Sequence, residues 1–141
     1  MNDDATVSAI RKYAVKRGLK VYSLGYFHKW CDENPNVSPL ELFLWFRCAD
    51  MVFTDTFHGS VISLSTEAQF ISLIRNNQNK LAFLLKQYGV SERIVNDFAK
   101  IEEKANSPID YTIVEITVQQ IRERSFRVLK EFIEQVKDAK D

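Results

Sequence analysis

Two short runs of apolar residues, Met51-Val52-Phe53-Thr54 and Phe70-Ile71-Ser72-Leu73-Ile74, flank a segment of helical pattern. A strand that is apolar at consecutive positions must be covered on both faces. In soluble domains that is the situation of a parallel sheet with helices packed above and below it. A half-exposed antiparallel sheet, which alternates apolar and polar residues, does not fit these runs. Leu19-Lys20-Val21-Tyr22-Ser23-Leu24 is also of strand length and lies between Gly18 and Gly25, so the pattern predicts a third parallel strand over ~20–24.

The helices between these runs carry their own start and stop signals. Residues ~4–17 place Ala5, Val7, Ile10, Tyr13, Ala14 and Val15 at three- and four-residue spacings, after Asn2, Asp3 or Asp4 as N-cap and before Gly18. Ser38-Pro39-Leu40-Glu41 combines an N-cap serine, a proline at the first position and a glutamate at the third, predicting a helix to about Ala49. Further helices are predicted from near His58, over Asn77 to Gln87, weakly over ~96–104, and as one long amphipathic helix over ~115–138. Ser91 to Val95 reads as a connector. The fold class is α/β: a Rossmann-like parallel sheet flanked by helices, with a long C-terminal helix. At 141 residues the chain is expected to form one domain, with the Rossmann-like core over about 1–95 and a helical segment over about 96–141. Three strands are fewer than the ~5–6 of an average sheet, and the chain opens on a helix rather than a strand. Both features point to a piece of a larger protein, or to pairing with another chain.

Charge narrows the function classes. The 19 Lys plus Arg residues balance the 19 Asp plus Glu residues, and Arg122, Arg124, Arg127 and Lys130 are interleaved with Glu123 and Glu131. A nucleic-acid binder would carry a basic stripe, so no nucleic-acid partner is expected. No run approaches the ~18–20 apolar residues of a membrane span. Cys31 and Cys48 lack CxxC spacing; they are expected to be free thiols in a cytoplasmic protein, with Cys48 a small core residue. With His28 and His58 they form no metal-ligand spacing, so no zinc is expected.

The densest polar cluster, Thr54-Asp55-Thr56-Phe57-His58-Gly59-Ser60, follows the middle strand. Ligands of open α/β sheets bind beyond the carboxyl ends of strands. A helix that opens there presents unpaired amides and a positive dipole end to a phosphate or carboxylate. Gly59 would let a ligand approach the backbone. His58 can donate to an anion or act as general acid or base near neutral pH. The same spacing also fits a plain helix cap by Asp55 or Thr56, with His58 packed. His28, within Tyr26-Phe27-His28-Lys29-Trp30, fits either a sugar-stacking cleft or a loop over the core, the second more readily.

The stretch Ala49-Asp50-Met51-Val52-Phe53-Thr54-Asp55-Thr56-Phe57-His58-Gly59-Ser60-Val61 resembles the signature of the polysaccharide pyruvyl transferase family, with Thr56 where Ser is commoner. The resemblance covers roughly 5–95 and runs on through Phe70-Ile71, Asn79-Lys80, Leu84-Leu85 and Tyr88 to Ile94. It implies the C-terminal half of a two-domain, GT-B-like enzyme. Such enzymes transfer a pyruvyl group from phosphoenolpyruvate to a sugar of a surface polysaccharide, with no cofactor beyond the donor substrate. By that resemblance His58 is the catalytic acid or a phosphate ligand, and Asp55 orients. Thr54, Thr56, Gly59 and Ser60 would bind the donor, the last two through their amides. The family's variant Arg-Leu-His motif is absent, which leaves Arg75, Lys80 or Arg93 to supply positive charge. Gln69 stands where members often have Pro. The partners implied are the small-molecule donor, a glycan acceptor and an N-terminal domain or a second copy. Two other readings stay open: a GT-B-like glycosyltransferase domain that binds a nucleotide sugar, and a non-catalytic interaction module that uses the long helix or Leu40, Phe43, Leu44 and Phe46.

Overall fold

The computed structural model describes residues 3–73 and 79–138. Six α-helices and three strands are described: α1 (Asp4–Arg17), α2 (Pro39–Cys48), β1 (Val52–Thr54), α3 (Phe57–Ser65), β2 (Phe70–Leu73), α4 (Asn79–Gln87), β3 (Ile94–Val95), α5 (Ile101–Ala105) and α6 (Tyr111–Asp138). Short 3-10 turns at Ser91–Arg93 and Phe98–Lys100 lead into β3 and α5. The expected strand end at Ile74 and helix start at Asn77 lie outside the described residues.

The strands form one parallel sheet in the order β1-β2-β3, with Thr54 beside Ser72 and Ser72 beside Ile94. All four residues of β2 are buried, which accounts for the unbroken apolar run. Phe70 joins Val52, Leu81, Leu85, Val90 and Val114 in one core cluster. Ile71 and Leu73 join Ile10, Val95 and Ile101 in the other. The chain is α/β and Rossmann-like, with helices flanking the sheet and a long C-terminal helix.

Local caps behave as their residue types demand. The Asp3 carboxylate accepts the Thr6 amide at 2.9 Å, and Gly18 closes α1 with φ 66°. There the Leu19 amide reaches back to the Ala14 carbonyl at 2.9 Å. Ser38 and Glu41 form a reciprocal capping box at the start of α2. Gln69, just before β2, exchanges two hydrogen bonds with the Ile109 backbone, accepting its amide at 2.7 Å.

Three expectations are corrected. The segment over ~20–24 is not a strand of the sheet; it makes a single bridge, Tyr22 to Glu33. The Val21 amide is taken by the Asp32 carboxylate at 2.7 Å, and the Val21 carbonyl by the Asp32 amide at 2.8 Å. A loop that satisfies its own backbone has no free ladder to offer a neighbouring strand. The third strand is instead β3, inside the segment expected to be a connector. Cys48 is exposed, because α2 buries no residue at all.

Candidate functional site

β1 ends at Thr54, and α3 begins three residues later. The Thr54 hydroxyl, nearly buried, accepts the Thr56 amide at 3.2 Å and lies 3.2 Å from the Thr56 hydroxyl. Thr56 is the N-cap: its hydroxyl accepts the Gly59 amide at 2.9 Å. The hydroxyls of the two threonines thus link the end of the strand to the first turn of the helix.

Gly59 is needed for packing rather than for ligand approach. A Cβ at this position would stand 2.1 Å from Thr54 Oγ1 and 2.8 Å from Thr54 Cβ. Only a residue without a side chain lets α3 sit this close to β1. One turn of helix wall follows in which small hydroxyls face inward. Ser60 is fully buried, and its hydroxyl lies 2.7 Å from that of Ser72 on β2. Ser63, also fully buried, donates to the Gly59 carbonyl at 2.8 Å.

The amides of Gly59 and Ser60, expected to face an anion, are spent inside the helix. Gly59 donates to its cap and Ser60 to the Thr56 carbonyl at 3.3 Å. The amides that no described residue accepts are those of Phe57 and His58, the first two of α3, as the geometry of a helix start requires. His58 is exposed, with its ring edge-on to Phe57 at 6.0 Å between centroids. Asp55 is half-buried in the turn, and Thr56 is exposed. Together these groups form a rim at the carboxyl end of β1, with two amides that no described residue accepts, a histidine and the positive end of a helix dipole.

A family model described as polysaccharide pyruvyl transferase matches residues 2–77 of the 141, more than half of the chain. The chain belongs to the polysaccharide pyruvyl transferase family. No curated protein and no solved structure matches it. The matched stretch of this pyruvyl transferase family chain runs from α1 to the end of β2. It therefore contains the whole Thr54–Ser60 rim, while α4, β3, α5 and α6 lie outside it. Family membership makes the class of chemistry that of a transferase.

The expected cations divide. Lys80 is exposed in the first turn of α4, the helix that follows β2. Arg75 lies outside the described residues. Arg93 is 1% exposed, and its guanidinium donates to the Lys104 carbonyl at 2.9 Å and to the Ser107 carbonyl. Its Nε lies 3.5 Å from a Glu92 carboxylate oxygen. That separation is an ion-pair distance without hydrogen-bond alignment, and Nε has no hydrogen-bond partner among the described residues. Burial pulls the guanidinium pKa down, with Glu92 opposing. No contact among the described residues joins Arg93 to the rim; it clasps the end of α5 to the start of β3.

The hydroxyl pair behind the rim was not expected from the sequence. The only signal for that pair was Ser60 and Ser72 at otherwise apolar positions. Outside the rim, a hollow of about 270 Å³ lies between α1 and residues 98–102, lined in part by Ser8, Lys12, Phe98 and Glu102. Among the described residues no helix is long and apolar enough to cross a membrane.

Proposed function

We propose that this chain is the donor-binding half of an enzyme that transfers a pyruvyl group from phosphoenolpyruvate to a sugar of a surface polysaccharide. The observation that carries the reading is the start of α3, within the family match. There the Phe57 and His58 amides have no acceptor among the described residues, and the His58 imidazole is exposed. A phosphate or carboxylate of the donor docks on those amides, where the helix dipole favours negative charge. Thr56 borders the site, Asp55 orients the turn, and Lys80 adds positive charge from the next helix. An N-terminal domain or another chain contributes the acceptor side.

The chemistry asks for an acid at this place. Protonation of the donor's methylene carbon leaves a cation at C2, which a sugar hydroxyl attacks. Phosphate then departs with the C2–O bond electrons, and a second hydroxyl closes the cyclic ketal; each hydroxyl gives up its proton. His58 delivers the first proton, a role that needs the imidazolium, or holds the phosphate through a ring N–H, which the neutral or the charged ring can do.

The test is thermal unfolding of the wild-type chain, His58→Ala and His58→Gln with millimolar phosphoenolpyruvate, and with UDP and GDP as controls. A ligand at ~100 times its dissociation constant adds ~2.7 kcal/mol of stability. The expected result is a rise in melting temperature with phosphoenolpyruvate alone that His58→Ala abolishes. Retention of the rise in His58→Gln assigns His58 a hydrogen-bonding role in binding, and its loss assigns a charged one. A rise with the nucleotides instead replaces the reading with a glycosyltransferase domain. No rise with any ligand overturns donor binding by this chain on its own.

A further inference from the structure

The N-cap of α3 is held from behind by a neighbouring strand. The Thr56 carbonyl accepts the Ser60 amide at 3.3 Å and the Ser60 hydroxyl at 3.2 Å. A hydroxyl that bonds the carbonyl four residues back is ordinary helix chemistry, and Ser63, Ser65 and Thr66 do the same. Ser60 differs from them in having a second hydroxyl behind it. Ser72 of β2 lies 2.7 Å from the Ser60 oxygen, and both side chains are fully buried. Each hydroxyl has one proton to give. If Ser60 gave its proton to Ser72, the Ser72 proton would be buried with no acceptor among the described residues, which is unfavourable. The order that satisfies both groups runs one way, from Ser72 to Ser60 to the Thr56 carbonyl.

That carbonyl shares a rigid plane with the Phe57 amide. The Thr56–Phe57 peptide is trans, so its N–H points opposite to its C=O. Ser60 holds the carbonyl toward the body of the helix. The Phe57 N–H is thereby aimed off the helix start, where no described residue accepts it. A chain of donors that ends on a carbonyl also polarises the peptide group and strengthens its N–H as a donor. We propose that Ser72 is a positioning residue of the donor site, acting through Ser60 to fix the direction of the Phe57 amide that holds the donor's phosphate or carboxylate. The proposal rests on the donor-binding reading above for its ligand, and on the hydroxyl chain alone for its geometry. Ser72 is fully buried and itself touches no ligand.

The test uses the full chain, with phosphoenolpyruvate affinity from calorimetric titration and the Thr56–Phe57 peptide followed by NMR in the free chain. Ser72→Ala is expected to move the Phe57 amide nitrogen and the Thr56 carbonyl carbon upfield, the direction of a weaker hydrogen bond to that carbonyl. It is also expected to weaken phosphoenolpyruvate binding roughly two- to tenfold, the usual contribution of one hydrogen bond. Ile10→Val, a buried change on α1 outside the hydroxyl chain, is expected to lower the melting temperature and leave both readouts as in wild type. The double variant Ser60→Ala, Ser72→Ala is expected to bind no more weakly than Ser60→Ala, because Ser72 acts only through Ser60. Ser72→Cys, a weaker donor in nearly the same space, is expected to fall between wild type and Ser72→Ala, and gives the same reading if alanine unfolds the chain. Unmoved resonances in the Ser72 variants, an unweakened affinity, or full additivity in the double variant would each overturn the proposal. A wild-type chain that binds no phosphoenolpyruvate strikes the donor reading instead, and the resonances then decide the positioning role by themselves.

Discussion

Gly59 illustrates how one residue can be read in two ways. From its place at a helix start it reads as room for a ligand, but the space it leaves is filled by Thr54. Substitution by alanine forces a methyl into the Thr54 side chain at 2.1 Å, and α3 must move off β1 to relieve it. Gly59→Ala is therefore expected to cost at least ~1–3 kcal/mol, the usual range for overpacking, seen as a lower midpoint in urea unfolding. An unchanged midpoint would show that the helix can shift freely. The rim was legible at this scale: Thr56 caps, and His58 is exposed beyond the strand, because both follow from the order of residues at a strand-to-helix turn. Arg93 was not legible. A lone arginine in a polar segment gives no sign that Lys104 and Ser107 will turn their carbonyls toward it.

At the scale of elements, α6 is tied down by its first residue. The Tyr111 hydroxyl, half-buried, donates to the Ala68 carbonyl at 2.5 Å and lies 3.3 Å from the Ser63 carbonyl. Burial raises its pKa well above that of an ordinary tyrosine, with the Arg93 charge pulling the other way. The folded state therefore keeps the proton at pH values where the unfolded chain, with a tyrosine pKa of ~10, gives it up. The stability this adds is fully present below pH ~10 and is lost progressively as the pH rises above it. Wild-type chain is expected to lose stability more steeply than Tyr111→Phe between pH ~10 and ~11 in equilibrium unfolding, since the variant lacks the ionising group. Equal slopes would mean that Tyr111 ionises as readily in the folded state. The element boundaries followed the caps: Asp3, Gly18 and Ser38 act locally, within a turn of the helix they start or stop. β3 escaped notice because two residues have no periodicity to read.

Across the whole molecule, burial is uneven. β2 is enclosed on both faces, whereas α2 has no fully buried residue and reaches the core only through the half-buried Phe46. Amide hydrogen exchange should follow that gradient: β2 amides are expected to exchange only through global unfolding, and α2 amides through local opening orders of magnitude faster. Similar rates in the two would contradict the packing described. What the amino-acid order determined by itself were features carried by near neighbours. These were the parallel, doubly covered strands β1 and β2, the helices with their caps, the strand-turn-helix rim with His58 and its family signature. What only the tertiary structure decided were choices of partner. Leu19–Leu24 spends its hydrogen bonds on Asp32 and leaves the sheet edge to Ile94–Val95. Gly59 serves Thr54, Ser60 finds Ser72, and Arg93 is buried against carbonyls from 11 and 14 residues away. Periodicity and capping are set within a few residues along the chain. A hydrogen-bond partner or a covering face is set by whichever distant segment the fold brings near, and the local pattern holds no record of that segment.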